Sequence, residues 1–167
     1  MSWPPADDLE PPMLPIDYPG EGPVEDLEDE ITELYAHITA ATYRLLVLIA
    51  ALDRRGHYGA WGLRSCAHWL NYKCGISLGA AREKVRVARV LPELPKISAA
   101  FAAGAVSYSK VRAMTRVATP ENEDYLLMIA RHGTAWHVET LVREYRSVRR
   151  EEERARAEHQ HEERRLS

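Results

Sequence analysis

Apolar residues recur along this chain with the spacing of α-helices. The longest such run starts near Val24, alternates in steps of four and three residues, and stops near Arg55 and Gly56. A repeat of this kind is a heptad seam on one long helix. Its members are Leu27, Ile31, Leu34, Ile38, Ala41, Leu45, Leu48 and Leu52. The seam requires a partner, either another helix of this chain or a second copy of the protein.

Capping residues, glycines and prolines divide the rest of the chain into shorter helices. Three of these shorter helices are predicted before Gly104: one capped by Ser65 and ended by Gly75, one at 78–91 capped by Ser77, and one at 93–103. Three more follow. The first is capped by Ser107 and ends near Thr119, the second is opened by Thr119 and Pro120 and ends at His132 and Gly133, and the third is capped by Thr134. No alternating strand pattern is visible. The sequence therefore predicts an all-α fold of about seven helices, in which long first and last helices flank a compact bundle.

The two ends of the chain differ from its middle. Seven of the ten prolines lie in residues 1–23, which predicts a disordered acidic tail. In the last helix an apolar seam fades after Arg149, and residues 149–167 are rich in Arg and Glu, which predicts a charged helical extension. A helical domain is expected between them, at 24–148. The seam of the last helix consists of Val138, Leu141, Tyr145 and Val148.

Charge is divided unevenly along the chain. Residues 1–33 contain eleven acidic side chains and no Lys or Arg, whereas residues 34–147 contain 16 basic and 8 acidic ones. The net charge of −3 therefore conceals a basic body, which suits a polyanionic partner. The acidic head is either a solvated tail or a segment that folds back and competes for the basic surface.

Composition limits the class of protein. Only two cysteines are present, so a disulfide scaffold is excluded. No secretory signal is visible, and no stretch approaches the roughly 18 uninterrupted apolar residues of a membrane span. We therefore expect a cytoplasmic protein with no membrane partner.

Arginines align on two of the predicted helices. At 100° per residue, Arg82, Arg86 and Arg89 lie within about 60° of one another. On the next capped basic helix Arg112 and Arg116 share one face, and Lys110 adds a further positive charge. The guanidinium fork suits phosphate, so these six residues are candidate DNA contacts. The alternative is an ordinary solvated helix face.

Two helix–glycine–helix corners resemble helix-turn-helix units. The first runs from Leu70 to Ser77 and the second occupies residues 99–107. In the first, Asn71 stands where a small apolar residue usually packs, and Lys84 falls near an expected core position. Corners of this kind occur in most helical bundles, so neither identifies a DNA-binding protein.

The sequence contains no residue pattern typical of a metal site or a catalytic site. Cys66, His68 and Cys74, with His57, lack the paired spacing of a zinc site. There is no phosphate-cradling glycine loop, no nucleophile with a base and no credible carboxylate pair. We therefore predict no metal, no cofactor and no catalytic residue.

Several blocks in fixed order resemble one bacterial family. They lie at residues 62–70, 80–89, 94–95, 99–104, 107–112 and 118–121. Together they are similar to the domain of unknown function 222 module, found at the N-terminal side of many HNH endonuclease proteins. The resemblance covers about residues 25–167.

The resemblance implies a role beside a nuclease rather than as one. In the family the HNH segment lies C-terminal to this module and carries histidines that bind a divalent metal and activate water. No position here matches that motif, so no catalytic residue is transferred. The expected function is a non-catalytic, DNA-associated helical module of an HNH endonuclease-type protein. The alternative is a protein–protein or self-association module that uses the heptad seam and has no nucleic-acid role.

Overall fold

The computed structural model describes residues 23–56, 58–59 and 62–165. Within these residues the chain forms seven α-helices, a short 3-10 helix at Leu91–Glu93, further 3-10 geometry at 58–59, and no strand, which confirms the predicted all-α fold. The predicted tail at 1–23 lies outside the described residues except for Pro23. The helices are α1 (Val24–Arg55), α2 (Cys66–Cys74), α3 (Leu78–Val90), α4 (Pro95–Ala102), α5 (Tyr108–Met114), α6 (Glu123–His132) and α7 (Ala135–Arg165).

The chain divides into two units, residues 1–34 and residues 35–167. In the first unit the described residues form the start of α1, and their side chains are exposed. The second unit contains an apolar core built from every helix. Its largest fully buried apolar side chains are Phe101, Leu46, Leu70, Leu94, Ile97, Met114, Val87, Val106, Val111 and Val138.

Within the second unit, α1 enters the core by a face that the heptad seam does not include. Thr39, Leu46, Ile49 and Ala50 are buried, whereas the seam residues Ile38, Leu45 and Leu48 are exposed. Leu52 is the one residue of the predicted seam that packs against the core. No described helix of the same chain therefore covers the seam at these exposed positions.

The first predicted corner joins α2 and α3, which pack against each other. As predicted, Ser65 and Ser77 cap the two helices by accepting the backbone N–H groups of His68 and Ala80. Gly75 ends α2 in the left-handed conformation. The amide of Asn71 donates to the carbonyl of Ile76 at 2.8 Å, so this polar side chain closes the corner.

The second predicted corner joins α4 and α5 around Gly104. Its φ of +73° is left-handed, and its N–H donates to the carbonyl of Phe101. Ser107 stands at the N-cap of α5, but its side chain makes no capping hydrogen bond, so its predicted capping role is wrong. The N–H of Val111 bonds instead to the Ser107 carbonyl, which needs no hydroxyl.

Three helix boundaries also differ from the prediction. The helix expected at 93–103 starts at Pro95, after the 3-10 turn. The helix after Ser107 ends at Met114 and not near Thr119. The next begins at Glu123, so Thr119 and Pro120 do not open it.

Asn122 explains the late start of α6. Its Oδ1 accepts the N–H of Thr119 at 2.8 Å, and its Nδ2 donates to the carbonyl of Val117 at 3.1 Å. These two bonds hold residues 117–122 in a turn. An Asn or Asp side chain that hydrogen-bonds to the nearby backbone stabilises a turn in place of a helix, and this happens here.

The last helix, α7, is continuous from Ala135 to Arg165. Thr134 caps it as predicted, accepting from the N–H of His137, whose Nδ1 accepts the Thr134 N–H at 3.0 Å. Val138 and Val142 form its buried face. The predicted seam is therefore wrong at Tyr145 and Val148, which are exposed, because α7 packs on the body only near its start.

The length and composition of α1 meet the usual criterion for a membrane-crossing helix, although no uninterrupted apolar run is present. Core helices of soluble proteins and signal sequences meet it too. The absence of a membrane partner thus stays a prediction.

Candidate functional site

The three arginines of α3 do not form one free stripe. Arg82 is exposed, and no described carboxylate lies within ion-pair distance of it. Arg89 makes a two-point ion pair with the nearly buried Asp53 of α1, at 2.6 Å from Nε and 3.0 Å from Nη2. Its guanidinium thus ties α3 to α1.

The guanidinium of Arg86 is engaged in the protein body. Nε and Nη2 donate to the two carboxylate oxygens of Glu83, at 3.2 and 3.3 Å. Nη2 also donates to the carbonyl of Arg112, and Nη1 donates to the carbonyl and the hydroxyl of Thr115. These five contacts match the five N–H donors of arginine. Arg86 therefore satisfies carbonyls at the end of α5 and has no donor left for an external ligand.

The three basic residues on and beside α5 also have partners. Lys110 donates to the carbonyl of Ala130 at 2.7 Å, in the last turn of α6. Arg112 pairs with Glu139 of α7 at 2.9 Å, and Arg116 pairs with Glu83 at 2.9 Å. The guanidinium groups of Arg112 and Arg116 each use one nitrogen in these pairs and remain about 40% exposed.

A basic cleft lies between α5 and α7. Its volume is about 420 Å³, and five arginines line it against one glutamate. Arg112 and Arg116 form the α5 side, while the α7 side carries three further arginines that are not among the six candidate DNA contacts. The lining residues are Arg112, Ala113, Arg116, Glu139, Val142, Arg143, Arg146, Ser147 and Arg150.

The spacing of the α7 arginines places them along this cleft. Arg143, Arg146 and Arg150 follow one another at intervals of three and four, so they share one side of the helix. The buried Val142 faces the same cleft and anchors that side of α7 to the body. All three arginines are exposed, and no described carboxylate lies within ion-pair distance of them. The spacing of these three arginines is visible in the sequence, but their exposure is not.

Glu83 links the basic residues of α3 and α5. Burial by itself raises the pKa of this carboxyl, but hydrogen bonds and charges from Arg86 and Arg116 outweigh it and hold the pKa below its usual value. The ionised carboxylate therefore fixes both guanidinium groups. Of these two, Arg116 reaches the cleft.

Lys84 lies next to this network and is half-buried. Its ammonium stands 4.4 Å from the centre of the Tyr108 ring, a cation–π contact. Burial lowers the pKa of Lys84 and raises that of Tyr108. The near-core position expected for Lys84 is therefore confirmed, with an aromatic ring in place of a carboxylate partner.

Among the described residues no group of three or more His, Cys, Asp or Glu side chains could hold a metal ion. Cys66 is buried and burial raises the pKa of its thiol, while Cys74 is exposed. His57, the fourth member of the zinc set considered from the sequence, lies outside the described residues.

Comparison with protein families gives one match. The family described as "Domain of unknown function (DUF222)" matches residues 25–125. The chain belongs to the DUF222 family. The match is shorter than the resemblance over 25–167, since it ends within α6. No curated protein and no solved structure matches the chain.

The basic cleft of this DUF222 chain extends beyond the matched residues. Arg112 and Arg116 lie within the match, whereas Arg143, Arg146 and Arg150 follow it. One side of the cleft therefore comes from the family region and the other from α7.

Proposed function

We propose that this chain is a non-catalytic nucleic-acid-binding module that contacts the phosphate backbone of DNA through the basic cleft between α5 and α7. The observation that carries the proposal is the set of five arginines lining one cleft with a single carboxylate. Of the six candidate contacts taken from the sequence, Arg112 and Arg116 line this cleft, whereas the other four do not.

The geometry of the cleft suits a row of phosphates better than a single anion. From Arg143 to Arg150 the helix rises roughly 10 Å, about three base-pair steps along one strand of a duplex. Arg112 and Arg116 stand across the cleft and keep free N–H donors beyond their ion pairs. Such contacts hold a backbone without reading its sequence.

The salt dependence of binding to a short DNA duplex tests this proposal. Three to five phosphate contacts predict that the logarithm of the association constant falls with log salt concentration at a slope of roughly −2.7 to −4.5. Replacing Arg143, Arg146 and Arg150 together by Gln should reduce that slope by about 2.7. All three side chains are exposed, so the variant should fold as the parent does.

A matched control removes the same charge elsewhere. Arg54, Arg64 and Arg131 are exposed and make no ion pair with described residues. Their triple replacement by Gln should keep most of the affinity. Equal losses in both variants would mean that net charge and not the cleft attracts DNA, and absence of binding at low salt would overturn the proposal.

The link to an HNH nuclease is part of the same proposal and rests on the sequence resemblance. If this link is correct, the metal centre that cleaves the phosphodiester bond lies outside this chain. Purified chain with Mg²⁺ or Mn²⁺ should leave duplex DNA intact. Cleavage that persists through repeated purification would contradict the non-catalytic role.

A further inference from the structure

The exposed apolar face of α1 takes no part in the basic cleft. In residues 35–52 the seam residues Ile38 and Leu48 are 53% and 60% exposed. In residues 23–34 the seam residues Ile31 and Leu34 are each 58% exposed. Isolated exposed apolar residues are common, but a regular row of them marks an interaction surface.

The spacing of the row is that of a coiled-coil heptad. With Val24, Ile31, Ile38 and Leu45 at heptad position a, the d positions hold Leu27, Leu34, Ala41 and Leu48. Apolar residues at both a and d over more than three heptads form the seam along which two helices pack in a coiled coil. Such a row of apolar side chains gains no hydrophobic stabilisation while it is exposed to water.

The charges along α1 favour one orientation for such a pair of helices. Residues 24–33 hold six acidic side chains and no basic one, while Arg44 is the first cation of the helix. Two parallel copies would bring the flanking residues Glu28 and Glu30 of both chains to the same end. An antiparallel pair that aligns Leu34 of one copy with Ile38 of the other instead sets Glu30 opposite Arg44, twice by symmetry.

We propose that α1 pairs with α1 of a second copy of this chain, antiparallel, with Leu34 of each copy packed against Ile38 of the other. In this register residues 24–48 of the two helices overlap. Leu52, which packs against the core of its own chain, is left outside the contact.

Oligomeric state is the first measurement. Sedimentation of the intact chain should give twice the monomer mass at micromolar concentration. The double variant Ile38→Gln and Leu48→Gln should raise the dimer dissociation constant at least about a hundredfold, because each copy loses two buried apolar contacts. Val47→Gln is the matched control, since Val47 is exposed on another side of α1. A strictly monomeric parent would overturn the proposal.

Charge exchange tests the register. Glu30→Arg should weaken the dimer about tenfold, because it places two cations together at each symmetric contact. Adding Arg44→Glu to the same chain should restore pairing, since the charges are then swapped. Failure of the second change to rescue the first would exclude this register.

Cysteine crosslinking tests the orientation in a Cys74→Ser background. Chains with Ile31→Cys mixed with chains with Ala41→Cys should form a mixed disulfide, because these positions face each other in the antiparallel pair. Leu34→Cys alone should crosslink poorly, whereas a parallel pair would join these cysteines readily. Efficient crosslinking through position 34 would overturn the antiparallel arrangement.

A lipid surface is the competing occupant of the same face. Cosedimentation with phosphatidylcholine vesicles should leave the chain in the supernatant. Recovery of monomeric chain with the vesicles, abolished by Ile38→Gln and Leu48→Gln, would overturn pairing in favour of membrane binding.

Discussion

Glu123 shows how one side chain connects two helices. The residue is 1% exposed, and its carboxylate accepts the N–H of Ile97 at 2.7 Å. Ile97 is in the first turn of α4, whose own N-cap, Leu94, offers no side-chain hydrogen bond. A carboxylate from α6 thus satisfies an orphan donor at the positive end of α4.

Replacing Glu123 by Ala should lower the free energy of unfolding by about 3 kcal/mol, because a charge-assisted hydrogen bond is lost and the N–H of Ile97 stays buried without an acceptor. Urea unfolding followed by circular dichroism measures the effect. Asp124→Ala is the control: that residue is 75% exposed in its pair with Lys96, and should cost under about 1 kcal/mol. Similar losses in the two variants would contradict the capping role.

Glu83 predicts an acid-dependent stability at the same scale. Its pKa lies below the usual value in the folded chain, so it contributes stability that is present above the unfolded pKa, about 4.3, and is lost as pH falls through the lowered folded pKa. Glu83→Gln should therefore be less stable than the parent at pH 7, and the difference should shrink toward pH 3. Urea midpoints across this range provide the measurement, and a difference independent of pH would contradict the assignment.

Among the helices, the close approach of α1 to the α4–α5 corner depends on one glycine. A Cβ on Gly104 would lie 2.5 Å from the carbonyl oxygen of Ala36. The left-handed φ of Gly104 adds its own cost for any other residue. The backbone of α1 therefore contacts this corner directly, with no side chain between them.

Gly104→Ala should destabilise the chain by about 3 kcal/mol or more, since backbone strain and a clash with α1 add together. Gly75→Ala separates the two effects. Gly75 has a similar φ of +65°, but a Cβ there would meet nothing within 4 Å. It should cost only about 1–2 kcal/mol. Equal melting temperatures for both variants would show that α1 does not press on the corner.

For the whole molecule, the distribution of burial along α7 separates body from extension. Val138 and Val142 are buried, whereas every described side chain from Arg143 onward is exposed. The extension predicted at 149–167 begins inside this continuous helix, at no break in the backbone. Its helicity relies on local charge pairs such as Arg149 with Glu153, at 3.1 Å.

A chain ending at Arg150 should therefore unfold within about 1 kcal/mol of the full chain, because no buried contact is removed. It should also keep all five arginines of the basic cleft and its DNA affinity at low salt. Chemical denaturation and duplex titration of the two chains provide the comparison. A large loss of stability would show that residues 151–165 pack on the body.

Local patterns in the sequence predicted most of the helices. Heptad spacing, the serine caps at Ser65 and Ser77, and Gly75 predicted helices that the structure contains, because a helix and its caps depend on residues at most four or five apart. The predicted start of α6 was wrong because the side chain of Asn122 bonds to the backbone of a turn, and this turn competes with the helix. The prediction was also wrong where α7 continued past its packing partner, at Tyr145 and Val148.

Tertiary structure decided which arginines are free to contact an external ligand and which are bound by other residues of the chain. Sequence alone established the helical class, the basic body, the seam of α1 and the DUF222 resemblance, since these are properties of composition and short spacing. It could not tell Arg86 and Arg89 from Arg146 and Arg150, because all four stand on helices at similar intervals. Arg89 is bound by Asp53, 36 residues away in the chain, and Arg86 by carbonyls 26 and 29 residues away. Folding brings those partners within hydrogen-bond distance and leaves Arg146 and Arg150 facing an open cleft.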